Sequence, residues 1–189
     1  MKIGKSKTTD LVIVEGDITR SGMDALVNAA NEDLAGGGGV DGAIHEAAGY
    51  EQLYAAAQEA KAAKGWEVVP TGESVITPAF GLTSRGTRYI IHTVGPIQRE
   101  HGEQTLGLLE SCLRTSLTLA EENGDIRTIA YPLISTGVFG VPIETFAQAA
   151  RNVFPGYEFR NVQQVAIYVF SGPRTQDEAI PTLKRVLGM

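Results

Sequence analysis

The chain of 189 residues holds one cysteine, Cys112, and only three histidines. A single thiol excludes an internal disulfide; set in an apolar helical stretch, it reads as a buried thiol of a reducing, cytoplasmic setting. Three scattered histidines and one cysteine do not reach the spacing of a zinc site, so no metal is expected. No apolar run approaches the roughly 18 residues of a membrane span. No apolar stretch follows Met1-Lys2-Ile3-Gly4-Lys5, so no signal peptide is expected. Cations are also scarce: Lys+Arg 16 against Asp+Glu 22 gives a net charge of −6, with no basic block. That balance argues against nucleic acid as a partner, because such affinity rests on clustered cations.

What remains is an ordinary globular composition, 43% apolar and 20% charged, in a length that suits one domain over residues 1–189 with its core at about residues 11–187. Strand patterns recur at Leu11-Val12-Ile13-Val14, Ala25-Leu26-Val27, and residues 73–77, 89–93, 128–132 and 165–170. Helical patterns lie between them. Residues 40–64 are Ala-rich with a break near Gly49, and Leu106, Leu109, Leu113, Leu117 and Ala120 share one helix face. Residues 143–154 and 178–187 complete the set. Strands alternating with helices predict a parallel or mixed sheet covered on both faces, with ligands outside the carboxyl ends of the strands.

Glycine is in excess, 22 residues or about 12% against a usual share near 7%. Four are consecutive, Gly36-Gly37-Gly38-Gly39, and lead into Val40-Asp41-Gly42-Ala43-Ile44-His45. Such a run offers backbone N–H groups to an anion, and a helix starting near Val40 adds its free N-terminal amides. A diphosphate is the natural guest; the competing reading is a flexible surface loop. No Lys-Ser/Thr pair follows, which excludes a Walker A loop. Gly37, Gly39 and Gly42 fit GxGxxG, but no strand precedes them, so a nicotinamide-dinucleotide fold is not assigned. Pro132-Leu133-Ile134-Ser135-Thr136-Gly137-Val138-Phe139-Gly140 follows another strand and suggests a second anion loop. Phe139 either covers a sugar or packs that loop. Two such loops let an acidic protein hold a dianion without cationic side chains.

Several side chains carry two readings. Asp17 either N-caps a short helical turn or accepts from the exocyclic amine of a base. Phe170 either joins the core or stacks on that base. Asn28 and Asn31 tie the loop to the backbone or, for Asn31, reach a sugar hydroxyl. Asp41 complements the helix dipole or orients a water beside bound phosphates. His45 and His92 read as packed, hydrogen-bonded imidazoles. Ser135 lacks a GxSxG elbow and is not read as a nucleophile.

Taken together, Gly16-Asp17-Ile18-Thr19, Asn28 to Asn31, the segment 36–49, His92 to Pro96 and residues 132–140 resemble the macrodomain family of ADP-ribose-binding modules. The resemblance implies a three-layer α/β/α sandwich around a mixed, roughly six-stranded sheet, with an ADP-ribose cleft across the strand ends. It implies that Asp17 binds the adenine amine and that Ile18 adds a backbone contact near it. Gly39 and Val40 would line one diphosphate wall, and Ser135, Thr136, Gly137, Val138 and Phe139 the other. Phe170 would lie against adenine and Asn31 at the distal ribose. Asn31 with residues 39–45 is most similar to the MacroD-type branch, which contains hydrolases that remove mono-ADP-ribose from acidic side chains and deacetylate O-acetyl-ADP-ribose. Glu46 and Tyr50 depart from that branch, where arginine and proline are frequent. The implied catalytic residues are Asn31 and Asp41, with a phosphate-assisted water between ligand and Asp41. The implied partners are ADP-ribosylated proteins and ADP-ribose derivatives as substrates, met by a monomer without cofactor. Two other readings stay open: a non-catalytic ADP-ribose reader, and a phosphatase acting on ADP-ribose-1″-phosphate.

Overall fold

The computed structural model describes residues 1–5, 8–172 and 175–189. Its elements are, in order, β1 (Lys2–Ile3), β2 (Thr9–Glu15), β3 (Ala25–Ala30), α1 (Gly39–Ala48), α2 (Tyr50–Ala63), β4 (Ser74–Pro78), β5 (Tyr89–Val94), α3 (Gln98–His101), α4 (Thr105–Asn123), β6 (Thr128–Tyr131), α5 (Ile143–Val153), β7 (Gln164–Val169) and α6 (Ile180–Leu187). One sheet orders them β1-β2-β7-β6-β3-β5-β4. The five central strands are parallel, and the edge strands β1 and β4 run antiparallel.

Alternation along the strands decides the layers. Val27, Ile91, Ile129 and Ile167 enter a cluster with Leu109, Leu113 and Leu117 of α4, Phe146 of α5 and Leu183 of α6. Their neighbours Leu26, Ile90 and Ala130 face Ile44 of α1 and Leu53 of α2 on the opposite side. A three-layer α/β/α sandwich results. The α4 stripe read from the sequence is the buried face of that helix, with Leu109, Leu113 and Leu117 fully buried, each worth about 1.5–3 kcal/mol, and Leu106 partly so. Cys112 sits in the same face, wholly buried, with its thiol hydrogen-bonded to Val94 O at 3.4 Å; burial pushes its pKa up to about 11.

The expected six strands become seven. The addition is β1, whose Ile3 is buried and whose chain start is held by the Met1 ammonium donating to Leu11 O at 2.8 Å. The sheet therefore begins ahead of the expected core boundary near Leu11. Two residues are too few to carry a period-2 pattern, which is why this edge strand leaves no sequence signal. The break near Gly49 is real: Gly49 at φ 100° ends α1 and turns the chain directly into α2.

At the amino-terminal side of the strands, the Asp24 carboxylate ties three segments together. It accepts from the N–H of Arg127 at 2.8 Å, from the N–H of Thr128 at 2.9 Å and from Arg88 Nη2 at 2.9 Å. Burial alone would raise the Asp24 carboxyl; the Arg127 amide, the Arg88 guanidinium and the Thr128 amide and hydroxyl outweigh it and hold the pKa below the usual value. A depressed folded pKa stabilises the fold above the unfolded carboxylate pKa of about 3.9 and loses that contribution as pH falls through the folded value. Asp24→Asn is expected to cost about 1–3 kcal/mol at neutral pH. It should also flatten the acid limb of stability, as measured by urea denaturation across the pH range; an unchanged acid limb would contradict this assignment.

Candidate functional site

The carboxyl ends of β2, β3, β6 and β7 open on one side of the sheet, and the loops that follow them enclose a cavity of about 520 Å³. Asp17 and Ile18 after β2, Gly39 and Val40 at the start of α1, Thr136 and Gly137 after β6, and Phe170 after β7 all belong to its wall. These seven were expected from the sequence. Tyr168, Ile143 and Ala179 also line it, and the sequence reading did not single them out. Period-2 alternation on β7 was the available signal for Tyr168, since Ile167 and Val169 point to the other face.

Asp17 is the N-cap of a short turn. Its Oδ1 accepts from the Thr19 N–H at 2.9 Å and the Thr19 hydroxyl at 2.8 Å, capping the single 3-10 turn over Ile18–Arg20. Its Oδ2 stands 3.7 Å from Arg20 Nε. Phe170 is not core: it is 75% exposed, a ring standing on the rim where a flat base could stack.

The glycine loop presents amides rather than side chains. Among the described residues, the N–H groups of Gly36, Gly37, Gly38, Gly39, Val40 and Asp41 have no protein acceptor, and α1 has no side-chain cap at Gly38. The second loop repeats the device. Thr136 N–H and Gly140 N–H close internal turns on Leu133 O and Gly137 O, while those of Gly137, Val138 and Phe139 are left unpaired among the described residues. The loop is held from behind. Gln98 N–H donates to Phe139 O at 2.9 Å, and Val141 N–H donates to Ser135 O at 3.0 Å. Of these residues Gly39 and Val40, at the α1 N-terminus, and Gly137 line the cavity, so unpaired amides on two of its sides offer a setting for an anion without a cationic side chain.

Asn31, Asp41, Ser135, Val138 and Phe139 are not part of the cavity wall. Ser135 takes a left-handed φ of +65° and is buried against Gly95, which has no room for a Cβ there. Val138 is fully exposed and Phe139 half-buried. Asn31 serves its own loop: Oδ1 accepts from Ala35 N–H at 3.1 Å and Nδ2 donates to Gly36 O at 3.0 Å.

Asp41 is buried at the first turn of α1, with its two oxygens used differently. Oδ1 accepts from Asn28 Nδ2 at 2.7 Å and lies 3.0 Å from His45 Nδ1. Oδ2 has no protein partner among the described residues and faces the glycine loop, 3.3 Å from where a Cβ on Gly37 would stand. Burial would lower the His45 pKa, but the hydrogen bonds and charge of Asp41 outweigh it and raise it. Asn28 is the hub that the sequence reading only half saw: its second amide hydrogen meets His92 Nδ1 at 3.2 Å. That places the His92 proton on Nε2, which donates to Thr77 Oγ1 at 3.0 Å. Complete burial and the neighbouring His45 push the His92 pKa down to about 3, so it is a neutral spacer at physiological pH. Among the described residues, no three His, Cys, Asp or Glu side chains group so as to hold a metal ion, and no helix is long and apolar enough to cross a membrane.

Fold and cleft together define a class: three-layer α/β proteins whose strand-end loops offer main-chain amides to a phosphate-bearing ligand. Comparison with known proteins makes the assignment specific. The family model for the Macro domain matches residues 27–150. An O-acetyl-ADP-ribose deacetylase of Salmonella gallinarum is 48% identical over 143 residues, 76% of this chain and 76% of the relative. The macrodomain of Oceanobacillus iheyensis solved with ADP superimposes with a TM-score of 0.83 at 38% identity, covering 100% of this chain and 96% of that one. A Trypanosoma brucei macrodomain in complex with ADP-ribose gives 0.76 at 31% identity, covering 94% of this chain and 69% of that one. The chain belongs to the Macro domain family.

Proposed function

We propose that the protein is a hydrolase of ADP-ribose esters, deacetylating O-acetyl-ADP-ribose and releasing mono-ADP-ribose from aspartate and glutamate side chains of proteins. The observation that carries this reading is the pairing of two amide rows with a buried carboxylate, Asp41, that has one oxygen fixed and one free. The pyrophosphate would lie between the loops, with Asp17 and the Phe170 ring at the base and the distal ribose toward Asn31. Positioning is then the main catalytic contribution. The free Asp41 oxygen orients a water and takes up its proton, with a ligand phosphate oxygen on the water's other side. The water oxygen bonds to the ester carbonyl carbon or to the anomeric carbon. At the anomeric carbon the C–O bond to the carboxylate breaks and the carboxylate departs as an anion. At the carbonyl carbon the acyl C–O bond breaks and the ribose oxygen leaves, taking the proton back from Asp41. Either way the products are the carboxylic acid or its anion and ADP-ribose. Similarity to the deacetylase and to the ADP- and ADP-ribose-bound macrodomains supports the same ligand class.

One observation favours a plain reader instead: both ends of the Asn31 amide are occupied by its own loop. The test is release of ADP-ribose from O-acetyl-ADP-ribose and from a protein mono-ADP-ribosylated on acidic residues, run beside calorimetric titration with ADP-ribose. Saturable binding with release above the buffer rate is expected for both substrates. Binding without release would leave the reader, and release of inorganic phosphate from ADP-ribose-1″-phosphate alone would leave the phosphatase.

A further inference from the structure

The glycine loop is flexible by composition, yet the carbonyl groups that lead into it are held by side chains from α2 and from Asn31. Tyr50, Tyr54 and Gln58 recur every four residues along α2, with Lys61 three further on, so they share the helix side that runs under residues 33–36. From that side Gln58 Nε2 donates to Asp33 O at 2.8 Å, Lys61 Nζ to Asp33 O at 3.3 Å, and the Tyr50 hydroxyl to Ala35 O. Asn31 takes the next carbonyl, that of Gly36. A peptide unit is planar and trans, so its C=O and the following N–H point in opposite directions. Holding Ala35 O from below therefore aims Gly36 N–H the other way, and holding Gly36 O does the same for Gly37 N–H. Both amides are among those left without a protein acceptor.

The Tyr50 ring does a second job. It packs where Gly36, at φ +76°, has no side chain: a Cβ there would stand 2.8 Å from the Tyr50 hydroxyl oxygen and 3.0 Å from Cε2. Its other neighbour is the buried His45 ring, at 5.1 Å between centroids, and His45 in turn holds Asp41.

The geometry points to Tyr50 as the positioning residue of the glycine loop, a phenol latch that fixes the direction of the anion-binding amides and joins that loop to the His45–Asp41 pair. The latch follows from contacts within the protein; its consequence for ADP-ribose rests on the proposed function above. Because Asp41 has its own ties to Asn28 and His45, loss of the hydroxyl acts on ligand affinity more than on turnover.

Tyr50→Phe removes the hydroxyl and keeps the ring, and Tyr54→Phe, one turn further along the same side with a hydroxyl that makes no hydrogen bond among the described residues, is the control. The 15N order parameters of Gly36 and Gly37 are expected to fall from about 0.85 toward 0.6 in Tyr50→Phe, with those of α2 and the sheet unchanged. ADP-ribose affinity by calorimetry is expected to weaken about two- to tenfold, as for loss of one hydrogen bond. KM for O-acetyl-ADP-ribose should rise by more than kcat falls, at an unaltered melting temperature. Tyr54→Phe should match wild type throughout. Tyr50→Phe with wild-type order parameters, or with lowered order parameters and wild-type affinity, would overturn the latch. If the wild type itself fails to bind ADP-ribose, the proposed function falls, and the order parameters alone still decide whether Tyr50 holds the loop.

Discussion

Asp41→Ala is expected to slow ADP-ribose release by about 10²–10⁴-fold, the usual worth of a positioned general base. Binding of ADP-ribose itself should not weaken through charge, because a buried carboxylate beside a pyrophosphate opposes the ligand. The substitution has a structural cost that must be separated from the chemical one. It leaves one buried hydrogen of Asn28 Nδ2 without an acceptor, worth about 1–3 kcal/mol, while His45 Nδ1 keeps the Asp41 backbone carbonyl at 3.0 Å. Asp41→Asn resolves the two effects. An amide oxygen can still accept from Asn28, so stability returns toward wild type, but the free oxygen is replaced by an amide group that cannot take a proton. The rate of Asp41→Asn should therefore stay as low as that of Asp41→Ala in single-turnover release, at a higher melting temperature. A rate within threefold of wild type in Asp41→Asn would remove Asp41 from the chemistry and leave it as a strut for α1. Asn31→Ala probes a different link, since it frees the Ala35 N–H and the Gly36 carbonyl and so loosens the loop before it touches any sugar.

The layers of this fold were legible because burial is written locally. The α4 leucines at spacings of three and four, and the apolar β5 and β7 runs, each report their own surroundings. The same holds for the amide rows: consecutive glycines, then a helix, is a pattern within one short segment. What stayed hidden depends on partners far along the chain. Asn28 meets Asp41 and His92, 13 and 64 residues away, and no spacing rule pairs them. Tyr50 and Ala35 meet only because α2 folds back under the loop. Phe170 carries both a core and a base-stacking reading from its sequence, and only the end of β7, one residue earlier, leaves it on the rim. The family resemblance supplied candidate roles for Asn31 and Asp41. What each side chain does inside the protein, one tying a loop and the other wedged between an amide and an imidazole, came from the fold.

Gly42→Ala should be the most damaging small substitution near the cleft, and a second helical glycine shows why. Gly107 in α4 has open space where a Cβ would go, so Gly107→Ala is expected to gain up to about 1 kcal/mol of helix stability. Gly42 would gain the same propensity in α1, but its Cβ would run into the carbonyl oxygen of Gly37, a backbone atom that cannot rotate away. Relief requires the glycine loop to lift from the helix start, which turns its amides out of line with the row after β6. An overpacked contact of this kind costs about 1–3 kcal/mol, and here it falls on the ligand-binding geometry, so ADP-ribose affinity should drop about 5- to 150-fold. The melting temperature should change little, since the loop contributes few core contacts, and calorimetry with both alanine variants separates the effects. Wild-type affinity in Gly42→Ala would mean that the loop binds in more than one position. The rigid placement of main-chain amides would then no longer account for how an acidic protein grips a pyrophosphate.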